Sequence, residues 1–279
     1  MSGLKNLTPA EWERIESEEH DAQYRDSRPF DFANYKIDPA HVIWWEDYCY
    51  KRGRRTDRGH RTKRVFELMG LDSLEGKTIL DVGCGNGQYS VFFAMMGARV
   101  HAFDLSPVGV EIGKRTASEN GVSDRCSFSV QNASKMDYPS NSFDIVVFHE
   151  VLHHAIKYPG VREETLRVLK KGGLMICAET LEGNPLLSLG RTISMRGQER
   201  KGDVILTLRD LNDFAQGFET EHFELMSLLF MAKRIFRNYL GFAPIRWLLF
   251  ALKKTDDVLL KACPSLKQYC SECVLVLKK

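Results

Sequence analysis

TILDVGCGNG, residues Thr78 to Gly87, is the stretch on which the reading of this chain turns. Thr78, Ile79, Leu80 and Val82 form a short β-branched, apolar run, the composition of a strand buried on both faces. Gly83, Gly85 and Gly87 follow at its carboxyl end, with Cys84 and Asn86 between them. Glycines there allow a tight turn and let a ligand lie directly against main-chain N–H groups. Gln88 to Met96 (QYSVFFAMM) then predicts a helix whose N-terminus points at the same place. Strand, glycine-rich turn and helix open a nucleotide-binding α/β unit.

The spacing bears on which nucleotide. A dinucleotide fingerprint is G-x-G-x-x-G, but here the third glycine comes one residue early and Gln88 stands in its place. Asp81 lies two residues before the first glycine, where a carboxylate would repel a pyrophosphate. It favours a ligand with positive charge, such as the ammonium and sulfonium of S-adenosylmethionine, over NAD. A glycine-rich turn in some other α/β protein stays open on this stretch alone.

The 279 residues suffice for one large domain or a domain with substantial additions, and 43% hydrophobic content supplies a core. A formal net charge of +2 argues against a global polyanion binder, and no DNA partner is expected. Seven cysteines are scattered, with only Cys270 and Cys273 at C-x-x-C spacing, a pair read as packing at the entry to a strand. No leader-like segment and no apolar run of roughly 18 residues stands out, so the expectation is a cytoplasmic protein with free thiols.

The first 76 residues lack strand-like alternation and are expected to form a helical lid or substrate segment. Thr8-Pro9-Ala10-Glu11 reads as a helix start, Thr8 being the N-cap, Pro9 the first helical residue and Glu11 the partner of a capping box. His41 to Tyr50 (HVIWWEDYCY) is dense in aromatics and suits either a cover over an apolar substrate or packing onto the main domain. Lys51 to Arg64 holds eight Lys or Arg against one Asp, either a solvated face or an anion site.

From Lys77 onward strand and helix patterns alternate, which predicts a parallel sheet wound on both faces. Arg99 to Phe103 is the second strand, ending in Asp104-Leu105-Ser106, where an acid about 20 residues beyond the glycines can hold both hydroxyls of a ribose. Pro107 to Asn120 is a helix stopped by Gly121; Ser127 to Val130 is the third strand and Phe143 to Phe148 the fourth. Val161 to Leu169 reads as a helix closed by Lys170-Lys171-Gly172-Gly173, and Leu174 to Ala178 as the fifth strand.

The run from TILDVGCGNG through HAFDLS, QNAS and NSFDIVVFHEVLHH to VLKKGGLMICAET resembles the class I S-adenosylmethionine-dependent methyltransferases, and within them the quinone-biosynthesis-type, small-molecule branch. The resemblance covers Lys77 to Thr180. It implies a doubly wound, seven-stranded, Rossmann-like sheet, mostly parallel with an antiparallel last strand. It also implies that Asp81, Gly83, Cys84, Gly85 and Gly87 contact the methionine part of the cofactor. Asp104 would bind the ribose, Leu105 would flank the adenine, and Asn132 and Ala133 would sit at its edge. Asn132 departs from the family's usual Asp, but its amide oxygen can still accept from the adenine amino group. His149 would act through its main-chain carbonyl.

Methyl transfer from a sulfonium is a displacement at an already activated carbon, so positioning carries much of the rate. A general base adds roughly 10²–10⁴ where the acceptor loses a proton. Glu150, His153 and His154 follow the fourth strand at the ligand-binding edge of such sheets, and would share a face if a helical turn began at Glu150. His153 or His154 is the candidate base; a histidine that only shapes the pocket wall is the alternative. The related pattern Glu-x-x-Glu-His carries a divalent metal in quinone-type and small-RNA-tail methyltransferases. Here an imidazole, a poor ligand for magnesium but a good one for zinc, iron or nickel, replaces the second carboxylate, so a divalent metal stays an open alternative and is not the prediction.

Leu206 to Phe214 suggests a capped helix, His222 to Phe230 the sixth strand and Val274 to Leu277 the last, hairpinned against it. Residues 77–230 and 267–279 are thus expected to form the core. Between these strands lies an insertion, residues 231–266, expected to be helical. Its order KRIFRNYLGFAPIRWLLFALKK edges apolar faces with basic residues, which suits either a greasy substrate or contact with a membrane surface. The function expected is methylation of a small apolar acceptor at a hydroxyl. Methylation at nitrogen or carbon, an RNA-modifying enzyme drawing on the basic run, and a non-catalytic cofactor- or partner-binding module are the alternatives. No Asn-Pro-Pro-Tyr or Asp-Pro-Pro-Tyr motif follows the fourth strand, which counts against base N-methylation.

Overall fold

The computed structural model describes residues 8–26, 37, 50–51, 54–55, 59–185, 206–234, 236 and 243–279. The aromatic segment His41 to Cys49 and much of the basic run lie outside them. Seven strands form the main sheet: β1 (Thr78–Val82), β2 (Arg99–Asp104), β3 (Cys126–Val130), β4 (Phe143–His149), β5 (Leu169–Thr180), β6 (Glu219–Met226) and β7 (Glu272–Lys278). Their order is β3-β2-β1-β4-β5-β7-β6. The first five are parallel, and β7 runs antiparallel to both neighbours, as expected. The order reverses between β1 and β4, and the crevice outside the carboxyl ends of these strands is where such sheets take ligands.

Burial explains why TILDV pairs at the centre. Ile79 packs into one core with Val100, Phe92 and Val276, while Leu80 and Val82 enter the core on the opposite face with Phe148 and Leu275. Helices cover these faces: α1 (Pro9–Asp26), α2 (Gly59–Met69), α3 (Gln88–Met95), α4 (Pro107–Glu119), α5 (Leu152–Ala155), α6 (Val161–Val168) and α7 (Leu208–Phe214), while α8 (Ala243–Ala262) packs on the segment after β6. In α2, Arg61, Thr62, Val65, Phe66 and Met69 are buried, the spacing of one helical face. The second half of the basic run therefore turns an arginine inward.

Several boundaries differ from the sequence reading, two of them for a visible reason. Lys170 to Gly173 do not close a helix: α6 stops at Val168 and β5 begins at Leu169. The register jumps from Phe143↔Leu169 to Ile145↔Leu174, a bulge in which Gly172 takes φ 77° and donates to the Lys279 carbonyl at 2.9 Å. The sixth strand ends at Met226, not Phe230, because Ser227 turns to φ 66°. The Asp256 carboxylate then accepts from Leu229 N at 2.8 Å and Phe230 N at 3.0 Å, drawing that segment toward α8.

Candidate active site

At the end of β1 the backbone enters a turn that side chains would obstruct. A Cβ on Gly83, at φ 65°, would lie 2.1 Å from a Val151 methyl. One on Gly87, at φ 73°, would lie 2.8 Å from the Gly113 Cα. The turn holds itself through Cys84 N to Phe103 O and Gly87 N to Cys84 O, both 2.9 Å. Asp104 receives Gly85 N at 2.8 Å and Ser106 N at 2.9 Å, so the acid that ends β2 also braces the glycine turn. Asp81 is buried and accepts from Ser90 Oγ at 2.5 Å. Burial, reinforced by the charge of Asp104, pushes its carboxyl up from the ordinary 3.8 to about 7. Two acids drawn together in this way suit a ligand with a cationic centre and donor hydroxyls. The Cys84 thiol is pushed well up, chiefly by burial, which disfavours its thiolate form.

Helix α1 lies across this turn. Its start is the expected capping box: Glu11 accepts from Thr8 N at 2.7 Å while Glu11 N donates to Thr8 Oγ1 at 3.3 Å. Further along, Ser17 Oγ donates to the Leu105 carbonyl at 2.8 Å. Asp21 accepts from Ser106 Oγ and from Val108 N, the latter at 3.2 Å, placing a carboxylate on the N-terminus of α4. The Tyr24 hydroxyl stands 2.6 Å from where a Cβ on Gly85 would be. Asn132 Nδ2 donates to Glu13 at 3.0 Å, and Asn132 Oδ1 accepts from both Ser134 N and Ser134 Oγ at 2.9 Å. That amide oxygen thus closes a local turn in this conformation. Ala133 is buried in the core beneath it.

The edge after β4 departs from the expected arrangement. No helical turn begins at Glu150. This residue sits at φ 57°, a left-handed conformation that costs a non-glycine residue of order 1–3 kcal/mol, and α5 starts only at Leu152. Glu150 consequently parts from the histidines and pairs with Arg61 of α2, which is fully buried. Arg61 also donates to Thr180 Oγ1 at 3.1 Å and stands 3.8 Å from Glu272, itself bonded to Lys233 at 3.0 Å. His149 faces Thr62 Oγ1 at 3.0 Å and packs its ring 4.7 Å from that of Tyr89.

The two candidate bases are treated differently. His153 Nδ1 lies 2.8 Å from Glu179 Oε2, and Glu179 Oε1 accepts from Leu152 N at 2.6 Å. A carboxylate can only accept, so Nδ1 carries the proton and Nε2 is set as the basic nitrogen. His154 Nδ1 lies 3.1 Å from Glu16 of α1. Glu16 is buried and also accepts from Lys157 and, at 2.6 Å, from the Tyr158 hydroxyl. These bonds hold its carboxyl below the usual range despite burial.

Glu179, Arg61 and Glu16 were not found from the sequence as site residues. Glu179 had a signal: β4 and β5 pair His149 with Ala178, so the next residue of β5 must arrive beside Glu150. Arg61 was hidden in a run of like charges. Among the described residues, no group of three or more His, Cys, Asp or Glu is placed to hold a metal ion.

Part of the chain is similar to known proteins. Residues 80–177 match the family described as "Methyltransferase domain". The chain is 34% identical over 153 residues to a ubiquinone biosynthesis O-methyltransferase of Methylocella silvestris, spanning 52% of this chain and 54% of that protein. It is 38% identical over 104 residues to a sterol 24-C-methyltransferase of Pneumocystis carinii, spanning 36% and 27% respectively. The chain thus spans between about a quarter and about half of these relatives' lengths. A putative sarcosine dimethylglycine methyltransferase from Galdieria sulphuraria shares the fold, with a TM-score of 0.56 at 16% identity over 86% of this chain and 96% of that one.

Proposed function

We propose that this chain, built around a class I methyltransferase domain, transfers the methyl group of S-adenosylmethionine to a hydroxyl of a small apolar acceptor. One juxtaposition carries the reading. The acid-lined glycine turn at the ends of β1 and β2 lies across the strand-order reversal from the His153–Glu179 pair at the ends of β4 and β5. When bound, the cofactor supplies an electrophilic methyl on a sulfonium and leaves as S-adenosylhomocysteine. Asp104 would take the ribose hydroxyls, and Gly83, Cys84, Gly85 and Gly87 the methionine part. Asp81, ionising as positive charge arrives, would balance it. Leu105, Asn132 and Ala133 would line the adenine, and the His149 carbonyl would meet the amino group.

His153 would receive the acceptor's hydroxyl proton at Nε2, and Glu179 would stabilise the imidazolium formed while fixing the ring. His154 would position α1 over the site through Glu16, giving the N-terminal segment the role of a lid. Relatives named for ubiquinone and sterol methylation support an apolar acceptor. The sterol 24-C relative also keeps methylation at carbon in view. Within the basic run, Arg61 is buried and Arg64 is paired with Glu224 at 2.6 Å, so neither is offered to RNA.

Calorimetric titration with S-adenosylmethionine and, separately, with NADH tests the cofactor. Micromolar binding of the first alone, lost in Asp104→Ala, is expected; binding of neither would overturn the reading. A screen of phenolic and quinol acceptors then tests the hydroxyl, with product analysis separating oxygen from carbon methylation.

A further inference from the structure

The insertion before β7 builds a small core of its own. Leu249 and Phe230 are buried together, with Phe236, Ile245 and Leu252 packed against them, so α8 has a defined inner face. Asp256 is also turned inward, capping the segment after β6. The outer face is unlike the rest of the surface. Of the seven large hydrophobics that stand exposed among the described residues, four are on this helix: Trp247 at 73%, Val258 at 66%, Leu248 at 41% and Phe250 at 40%. Trp247, Lys254, Val258 and Lys261 recur at intervals that align them along one side of a 20-residue helix, roughly 30 Å long. The Trp247 ring meets Phe250 edge-on at 6.3 Å, and the Lys254 ammonium lies 5.8 Å from the Phe250 ring. Three lysines, Lys253, Lys254 and Lys261, stand against two acids on the described part of the helix. One of those acids is the inward Asp256; the other, Asp257, is 3.9 Å from Lys253 and 4.0 Å from Lys254.

We infer that the outer face of α8 docks on an anionic lipid bilayer. Trp247 and Phe250 enter the headgroup boundary, and the lysines reach from the same face to negatively charged headgroups. The chemistry matches at both levels. Indole rings settle where apolar and wet regions meet, and lysine stems lie along apolar surface while their ammonium groups stay in water. Each lysine near such a surface contributes roughly fivefold in partitioning. The helix lies on the bilayer and does not cross it: among the described residues no helix is long and apolar enough to span a membrane. A second copy of the chain is a poorer occupant, because antiparallel self-pairing about the middle of the stripe would set Lys254 against Lys254. The inference stands apart from the methyl-transfer reading.

The test is sedimentation of the purified full chain with vesicles of phosphatidylcholine alone or with roughly 30% phosphatidylglycerol. Binding to the anionic vesicles only, weakened by salt, is expected. Trp247→Ala with Phe250→Ala should lower it at least about tenfold, and Lys254→Gln about fivefold, with melting curves confirming that the variants fold. Quenching of tryptophan fluorescence by brominated lipid should be largely lost in Trp247→Phe. No sedimentation with anionic vesicles, or equal sedimentation of the double variant, would overturn the inference. A dimer in vesicle-free solution that Trp247→Glu dissociates would instead assign the face to a second copy.

Discussion

Replacing Asp81 by asparagine isolates the electrostatic tension at the heart of the site. The change keeps the shape of the side chain and an oxygen to accept from Ser90, but removes the ionisation. In the unfolded chain Asp81 titrates at its ordinary 3.8, and in the folded, cofactor-free protein at about 7. Between these values the folded state holds a proton that the unfolded state has released. Stability therefore falls as pH rises through this window and is flat above it. At about 1.4 kcal/mol per unit, the wild-type protein has lost roughly 2 kcal/mol by pH 5 and about 4 kcal/mol by pH 8. The amide introduced by Asp81→Asn does not titrate, so the variant's advantage should grow by roughly 2–3 kcal/mol between those pH values. For a chain of this size that is a melting-temperature gap widening by about 3–5 °C. Scanning calorimetry of both cofactor-free proteins at pH 5 and pH 8 reads it directly, and any constant packing difference cancels. A gap of equal size at both pH values would refute the argument, since Asp81 would then titrate alike folded and unfolded.

Arg61→Ala leaves Glu150 and Glu272 buried without their guanidinium and should cost about 3–5 kcal/mol in urea denaturation; a loss under about 1 kcal/mol would show that the network does not need it. His153→Ala should lower kcat on a hydroxyl acceptor by about 10²–10⁴, and Glu179→Gln by a smaller factor with an altered pH profile; unchanged kcat and profile in Glu179→Gln would remove its positioning role. Glu16→Gln weakens the ties to His154, Lys157 and Tyr158, and hydrogen exchange over residues 9–26 should accelerate while β1 and β4 stay protected.

The sheet could be read from the chain because its information is local. TILDV, RVHAF and FDIVVF are apolar runs bounded by glycine or acid, and each is a strand within one residue of its expected limits. Alternation with helices then leaves few topologies. The capping boxes at Thr8–Glu11 and Thr207–Asp210 are similarly local, each closed over three residues. Errors arose where a neighbour distant in sequence decides the outcome. Lys170 to Gly173 look like a helix end, but Lys279, just after β7, pairs with Gly172 and Gly173 where β5 bulges.

The strand–glycine turn–helix unit, the placement of Asp81 and Asp104 at one sheet edge, and the histidines at the next are all legible in the chain. Those follow from periodicity and from the few residue types a turn tolerates. Folding settles which charges are buried and with whom. Arg61 meets Glu150 across 89 residues and Glu16 meets His154 across 138. It also sets His153, not His154, against Glu179 and leaves Trp247 facing outward. A charged side chain's partner is chosen by the packing that excludes water from both, and that packing exists only once the chain has folded.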